Sequence, residues 1–327
     1  MAQKKMVKEK VFVTGACGFL GKHLVEALQQ RGASVFALVK PYHATTFLEE
    51  RGIPFVCAEL FSRQDYEDFL PAGCSVLHCY SLSPAAYASS EEYSRQNVLA
   101  TQVLLDVCRR KKIKKFVYIS SLSVIGPHAQ GPLAMTEETQ PHPDNAYGQS
   151  KFAAERLVST FYHELHIPVS ILRLSTLYGP YAHTNSVTFK LFKLARKPFQ
   201  FVVGGGRQPY ELNYIKNIVP GVLLALDKVT TFKIYNLGDT QKKTYRQVIV
   251  TFAHAAGSSI RLFSLPFFFL VPFAKIGDLF GRLRGKRFLF DSRTLSGLLG
   301  AWSTSYAKAE EELGFYLNML DLKCYAC

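Results

Sequence analysis

Two short patterns in this chain have the residue types and spacing for chemistry. The first is Tyr147-Gly-Gln-Ser-Lys151, a phenol and an ammonium four residues apart. On a helix these positions share one face. The lysine charge then favours phenolate and draws the tyrosine pKa toward neutrality. A tyrosine so tuned exchanges a proton with an alcohol or a carbonyl while a hydride moves to or from the same carbon. Ser120 and Ser121, which end an apolar run, would bring hydroxyls to the same space. The second pattern is Gly15-Ala-Cys-Gly18-Phe-Leu-Gly21. Glycines at this period let backbone approach a pyrophosphate without a Cβ in the way, and a helix N-terminus behind them offers free N–H groups. A tight structural turn is the plain alternative. A Walker loop does not fit, because His23 follows Gly21-Lys22 and Ala16 stands five positions before Gly21.

Elements of alternating type must position these groups. Apolar runs at Lys10–Thr14, Ser34–Val39, Pro54–Ala58, Cys74–Cys79, Lys115–Ser120 and Val169–Leu174 predict six strands. Helical periods predict helices from about Phe19 to Arg31, Glu91 to Arg110 and Tyr147 to His166. Strands that are uniformly apolar and alternate with helices imply an α/β fold, a doubly wound parallel sheet covered on both faces. The glycines fall between the first strand and its helix, which is the context a dinucleotide-binding turn requires. In such a fold an acid at the end of the second strand holds the ribose 2′-hydroxyl of NAD. Here that stretch is Leu38-Val39-Lys40-Pro41, with no carboxylate, and Lys40 could pair with a 2′-phosphate. The cofactor reading therefore leans to NADP, with NAD open.

At this point the chain resembles the extended short-chain dehydrogenase/reductase family, also called the NAD-dependent epimerase/dehydratase family, over about residues 10–240. The resemblance rests on the glycine turn, Asn97-Val98-x-x-Thr101, Phe116-Val-Tyr-Ile-Ser-Ser121 through Gly126, Thr136-Glu-Glu, Tyr147-x-x-x-Lys151 and Arg173-x-x-x-x-Tyr178-Gly179-Pro180. It implies a Rossmann domain with a nicotinamide cofactor. It also implies that Ser121, Tyr147 and Lys151 are catalytic, with Asn97 in support. Cofactor contacts would come from Gly15, Gly18, Phe19, Leu20, Gly21, Val39, Lys40, Glu59, Leu60, Tyr80 and Ser81, and again from Tyr147 and Lys151. Glu59 stands where the family usually has an aspartate facing the adenine. Domain bounds of 1–180 for cofactor and 181–327 for a smaller, mainly helical substrate lobe follow, with about 211–240 returning to the sheet.

Departures bear on substrate. Leu122-Ser123 replaces the Asp-Glu pair of the dehydratases, and Thr176 stands where sugar-nucleotide epimerases have asparagine. Tyr210 occupies the place of their phosphate-gripping arginine, with Arg207 three residues earlier as a substitute. An arginine clamp is not replaced conservatively by a phenol. Tyr80-Ser81 replaces a small Ala-Ala pair and would crowd the cofactor edge. The resulting expectation is an oxidoreductase acting at a secondary alcohol or ketone of a bulky, apolar small molecule, similar to hydroxysteroid or flavonoid reductases. A nucleotide-sugar epimerase is the alternative, and a non-catalytic cofactor-binding regulator the third reading.

The chain has 327 residues and a formal net charge of +14, with 48% hydrophobic residues. A chain of this size buries enough surface to fold without disulfide or metal staples. His163-Glu-Leu-His166 lacks the spacing of a zinc-protease helix, and Cys324-Tyr-Ala-Cys327 has no second pair, so no metal is expected. The seven scattered cysteines and the absence of a signal peptide read as a reducing, cytoplasmic setting. Positive charge clusters in the basic N-terminus, at 109–115 and at 282–287, and no motif calls for nucleic acid. Leu262–Ala274 carries five phenylalanines. It is read as buried lobe core, a greasy lid, or a peripheral membrane contact through 262–287. The helices near 91–110 and 147–166 are those through which the family dimerises, which implies a homodimer.

Overall fold

Val11, Phe12 and Val13 of β1 (Lys10–Thr14) are wholly buried, so this strand needs a neighbour at each edge and a covering layer on each face. The computed structural model, which describes residues 8–86, 88–126, 134–238, 243–284 and 303–316, supplies both. After the glycine turn comes α1 (Phe19–Gln30), then β2 (Ser34–Val39), a short α2 (Thr46–Glu49), β3 (Phe55–Cys57) and β4 (Ser75–His78). A continuous helical stretch follows as α3 (Ser90–Tyr93), a π turn (Ser94–Leu99) and α4 (Ala100–Arg110). Then come β5 (Lys115–Ser121), α5 (Ala146–Leu165) and β6 (Val169–Leu174).

Past β6 the chain forms β7 (Thr176–Tyr178), α6 (Val187–Ala195), β8 (Phe199–Val203) and β9 (Leu212–Tyr214). It then returns to the sheet through α7 (Ile215–Lys228) and β10 (Phe232–Leu237). The sheet order is β10-β6-β5-β4-β1-β2-β3, with every pairing parallel. The order reverses between β1 and β4, and crevices for ligands open at the carboxyl ends of strands at such a reversal.

Because side chains alternate along a strand, one sheet feeds two cores. Val11, Val13 and Val117 join the layer containing Leu24 of α1 and Ile218 of α7. Phe12, Phe116 and Tyr118 face the opposite layer, with Leu104 of α4 and Val158 of α5. This is the Rossmann-type sheet expected from the sequence. The smaller region packs α6 against α8 (Tyr245–Ala255) around Leu191, Ile249 and Phe252. It also contains two short parallel ribbons, β7–β9 and β8 with β11 (Arg261–Leu265), and the helix α9 (Val271–Arg284). Neither ribbon was expected, since three- to five-residue strands carry too little periodic signal. Residues 1–7, 285–302 and 317–327, which hold the basic N-terminus, Lys286, Arg287 and the Cys324–Cys327 pair, lie outside the described residues.

Asn145 starts α5 by accepting the Gly148 N–H at 2.9 Å, which sets Tyr147 in the first turn. Further along α5, buried Glu155 takes both arms of Arg173 from β6, at 3.0 and 2.8 Å, and the Ser120 hydroxyl at 2.5 Å. Glu155→Ala leaves Arg173 charged in the interior without its carboxylate, with only the Glu137 carbonyl at 3.4 Å to accept from it. It should destabilise the protein by about 3–5 kcal/mol in urea unfolding. A loss below about 1 kcal/mol would show that the pair carries no such weight.

Candidate active site

Gly15 sits at φ +68, and a Cβ there would lie 2.9 Å from the Tyr80 backbone. A Cβ on Gly21 would lie 2.1 Å from the Gly15 carbonyl. Only glycine permits this packing of strand, turn and helix. Gly18 is the N-cap of α1 and has no side chain to satisfy the first-turn N–H groups, and no acid stands in that turn. The helix therefore presents free donors and its positive end to an anion. Gly15, Gly18, Val39, Lys40, Tyr80 and Ser81 line one small cavity here. Phe19 faces the larger cleft described below, while Leu20 packs into the two hydrophobic cores beside α1.

Lys40 is placed differently from the expectation of a cation waiting for a phosphate. Its Nζ donates to Gln96 Oε1 at 2.8 Å and lies 4.4 Å from the centre of the Tyr80 ring. Burial lowers its pKa, partly opposed by Glu59 and Glu92. Tyr80 is itself buried, with its phenol 2.7 Å from Glu59 Oε2 and 2.6 Å from Gln96 Oε1. The Glu59 carboxylate thus already has a phenol partner. Leu60 is fully buried beside it, and its carbonyl accepts from Tyr66 at 2.9 Å.

The π turn delivers Gln96 and Asn97 to the site. Asn97 is buried, accepts the Leu82 N–H at 2.7 Å and the Ser81 hydroxyl at 3.1 Å, and donates to Ser150 of α5 at 2.9 Å. It therefore ties the segment after β4 to the helix carrying Tyr147. Behind it lies His78, a residue the sequence reading passed over. Thr101 already donates to the Asn97 carbonyl at 2.6 Å, so at 2.9 Å it accepts from His78 Nε2–H. His78 Nδ1 then accepts from Thr14 at 2.8 Å. This directs the ring to its neutral form, and burial, reinforced by Lys151, holds its pKa well below the usual value.

Ser121, Ser123 and Tyr147 converge on one cleft of about 470 Å³. The Ser121 hydroxyl lies 3.1 Å from that of Ser123 and accepts the Ser123 N–H at 3.2 Å. Burial pushes the Tyr147 phenol up to about 12, against the lowering effect of the Ser121 and Ser81 hydroxyls. Lys151, one turn further along α5, is buried. Its Nζ donates to the Ile119 carbonyl at 2.6 Å and lies 4.2 Å from the centre of the Tyr118 ring. Burial lowers its pKa to about 7, with the Glu155 charge opposing.

On the far side of the cleft stand Thr176, Tyr210 and Glu211. Arg207 is exposed and is not among the lining residues. Among the described residues no Lys, Arg or His lines the cleft. The N-terminus of α6 does face it: Ser186 caps that helix by accepting the Phe189 N–H at 3.1 Å, and Val187 and Thr188 line the wall. Glu211 is held by the Thr304 N–H at 2.7 Å and by the Tyr306 hydroxyl at 3.0 Å, an arrangement made by distant sequence that no local pattern signals.

Against this geometry, residues 11–238 match the family model described as the NAD dependent epimerase/dehydratase family. The uncharacterized UDP-glucose epimerase YtcB of Bacillus subtilis (strain 168) is 29% identical over 272 residues, 77% of this chain and 84% of that protein. A decarboxylating sterol-4-alpha-carboxylate 3-dehydrogenase of Dictyostelium discoideum is 28% identical over 247 residues, 73% of this chain and 74% of its own length. Among solved structures, MoeE5 in complex with UDP-glucuronic acid and NAD is 25% identical with a TM-score of 0.74, covering 97% of this chain and 96% of that one. The glycine cradle, the uncapped α1 and the family match lead to one conclusion: the chain is an NAD(P)-dependent enzyme and belongs to the NAD dependent epimerase/dehydratase family.

Proposed function

We propose that this enzyme oxidises a secondary alcohol, or reduces the matching ketone, with NAD as the hydride carrier and a nucleotide sugar as the leading substrate class. The observation that carries the chemistry is the convergence of Ser121 and Tyr147 on one cleft whose neighbouring wall is the glycine cradle. The α1 N–H groups would hold the cofactor pyrophosphate, and Lys151 and Asn97 would support the site from below. The nicotinamide, when bound, supplies the hydride acceptor or donor. Ser121 donates a hydrogen bond to the reacting oxygen, and Tyr147 gives or receives its proton. With its phenol held near 12, Tyr147 stands protonated and ready to donate. Lys151 holds α5 to β5 through the Ile119 carbonyl.

The names of the relatives support nucleotide sugars ahead of the hydroxysteroid- or flavonoid-reductase-like reading expected from sequence. The α6 N-terminus offers donors for a diphosphate in place of the missing arginine. A second reading, a bulky apolar alcohol or ketone, is favoured by a cleft wall that carries no described cation, by Tyr210 and by the sterol-acting relative. Product analysis separates them. Incubation with UDP-glucose or UDP-glucuronic acid should yield an epimer without net accumulation of reduced cofactor, and Tyr147→Phe should slow it by about 10²–10⁴-fold. Net cofactor turnover with a hydroxysteroid, and no epimer, would establish the second reading instead.

NAD is the proposed cofactor because Lys40 is engaged by Gln96 and Tyr80 and its burial disfavours the charge a 2′-phosphate would seek. Fluorescence titration should find NAD bound at least about tenfold more tightly than NADP. Equal affinities would return Lys40 to the role first expected of it.

The Lys151 ammonium also predicts a pH dependence of stability. Folding lowers its pKa from the ordinary 10.5 to about 7, so between those values the unfolded chain binds the extra proton. Stability contributed by this group therefore rises with pH across that window. Urea unfolding at pH 7 and about pH 10 should show wild type gaining on Lys151→Met as pH rises. A gap that stays constant would place the Lys151 titration elsewhere.

A further inference from the structure

The outer face of the smaller region is apolar where a solvated surface should be polar. In the β8–β11 ribbon, Phe201 pairs with Phe263 in register, and Phe199 stands two residues back on the same face. Their rings cluster at centroid distances of 5.9–6.3 Å. On the inner face Val202 is buried and Leu262 packs against the lobe core, whereas these three phenylalanines are exposed. Directly after β11, Phe267, Phe268 and Phe269 form an exposed turn, the last two at 58%. Then α9 exposes Phe273, Ile276 and Phe280, spaced as one helical stripe, and buries only the small Ala274 and Gly277 between them. This helix is amphipathic with its apolar face outward, so the reading of 262–274 as buried lobe core does not hold. Isolated exposed phenylalanines need no explanation, but a grouped set of this size marks a contact surface.

Charge selects the occupant. Residues 187–207 and 258–284 contain nine Lys or Arg and a single acid, Asp278. Phenylalanines flanked by cations suit an interface with anionic headgroups above acyl chains. A second copy of this chain would bring the same positive charge against itself, which opposes docking. No described helix is long and apolar enough to cross a bilayer, so the contact would lie in the interfacial plane. We propose that the face formed by the β8–β11 ribbon, the 267–269 turn and α9 docks the enzyme on an anionic lipid surface. The surface stands apart from Ser121, Tyr147 and the glycine turn, and its role does not depend on the identity of the substrate.

Vesicle flotation of the full chain tests this. The protein should float with phosphatidylcholine vesicles containing phosphatidylserine, and binding should weaken as salt screens the cations. Phe268→Glu should lower partitioning by about tenfold or more, since burying one phenylalanine is worth about that factor. Phe201→Glu, on the ribbon, should do the same with the melting temperature and NAD binding unchanged. Absence of flotation, or flotation untouched by both variants, overturns the proposal. So does a dimer by sedimentation that either variant dissociates, because the face would then be an interface between copies.

Discussion

A buried carboxylate fixes the geometry on which this site depends. Glu155 lies within α5 and has three donors, two from Arg173 of β6 and one from Ser120 of β5. An ion pair removed from water is retained only when its remaining lone pairs are satisfied, and a two-armed guanidinium plus a hydroxyl achieve that. Hydrophobic packing of Val158 and Phe161 presses the helix on the sheet but allows it to slide. The Glu155 contacts do not, because hydrogen bonds weaken steeply with misalignment. One turn nearer the N-terminus, Lys151 reaches the Ile119 carbonyl, and Ser150 receives Asn97. Tyr147 is therefore held at its height above β5 by polar bonds along its own helix, and the Tyr93 ring packs edge-on against its own at 5.9 Å.

The sequence exposes some of this and hides the rest for physical reasons. Strands buried on both faces leave continuous apolar runs, so β1, β2, β5 and β6 are readable from Val, Phe, Ile and Leu alone. Close backbone contact leaves glycine, so Gly15 and Gly21 are readable too. The Tyr147–Lys151 spacing correctly places two side chains on one helix, but spacing does not say where a long flexible side chain ends. Lys151 turns to a carbonyl and an aromatic face, and Lys40 does likewise, because a buried ammonium takes the nearest acceptors. The π turn at 94–99 inserts a residue into a periodic helix without any composition change, which is why Gln96 was not anticipated as the partner of Lys40 and Tyr80. Arg207 was chosen for its charge and its nearness to Gly206 in sequence. The turn at Gly204–Gly206, each at positive φ, leads it to solvent instead.

Charge is the property whose meaning changes most between sequence and structure. A net charge of +14 suggests a cationic pocket for an anionic ligand. Yet two of the cations the sequence offers for that role are buried: burial lowers the pKa of both Lys40 and Lys151. Among the described residues, none that lines the cleft beyond them is basic. In the proposed function an anion is met chiefly by neutral donors, the backbone N–H groups at the starts of α1 and α6. Such donors keep their orientation at any pH and need no counterion when the site is empty of anion. A buried lysine, by contrast, has either to find acceptors or to lose its proton. The fold uses the first solution for ligand and the second for scaffold. Exposed cations such as Lys197, Arg207, Arg261 and Lys275 stand outside the site, in the segments that carry the exposed phenylalanines, where their field reaches to longer range. Recognition of the dinucleotide and the overall basicity of the chain are thus separate features, and a variant that neutralises surface lysines changes the second without touching the first.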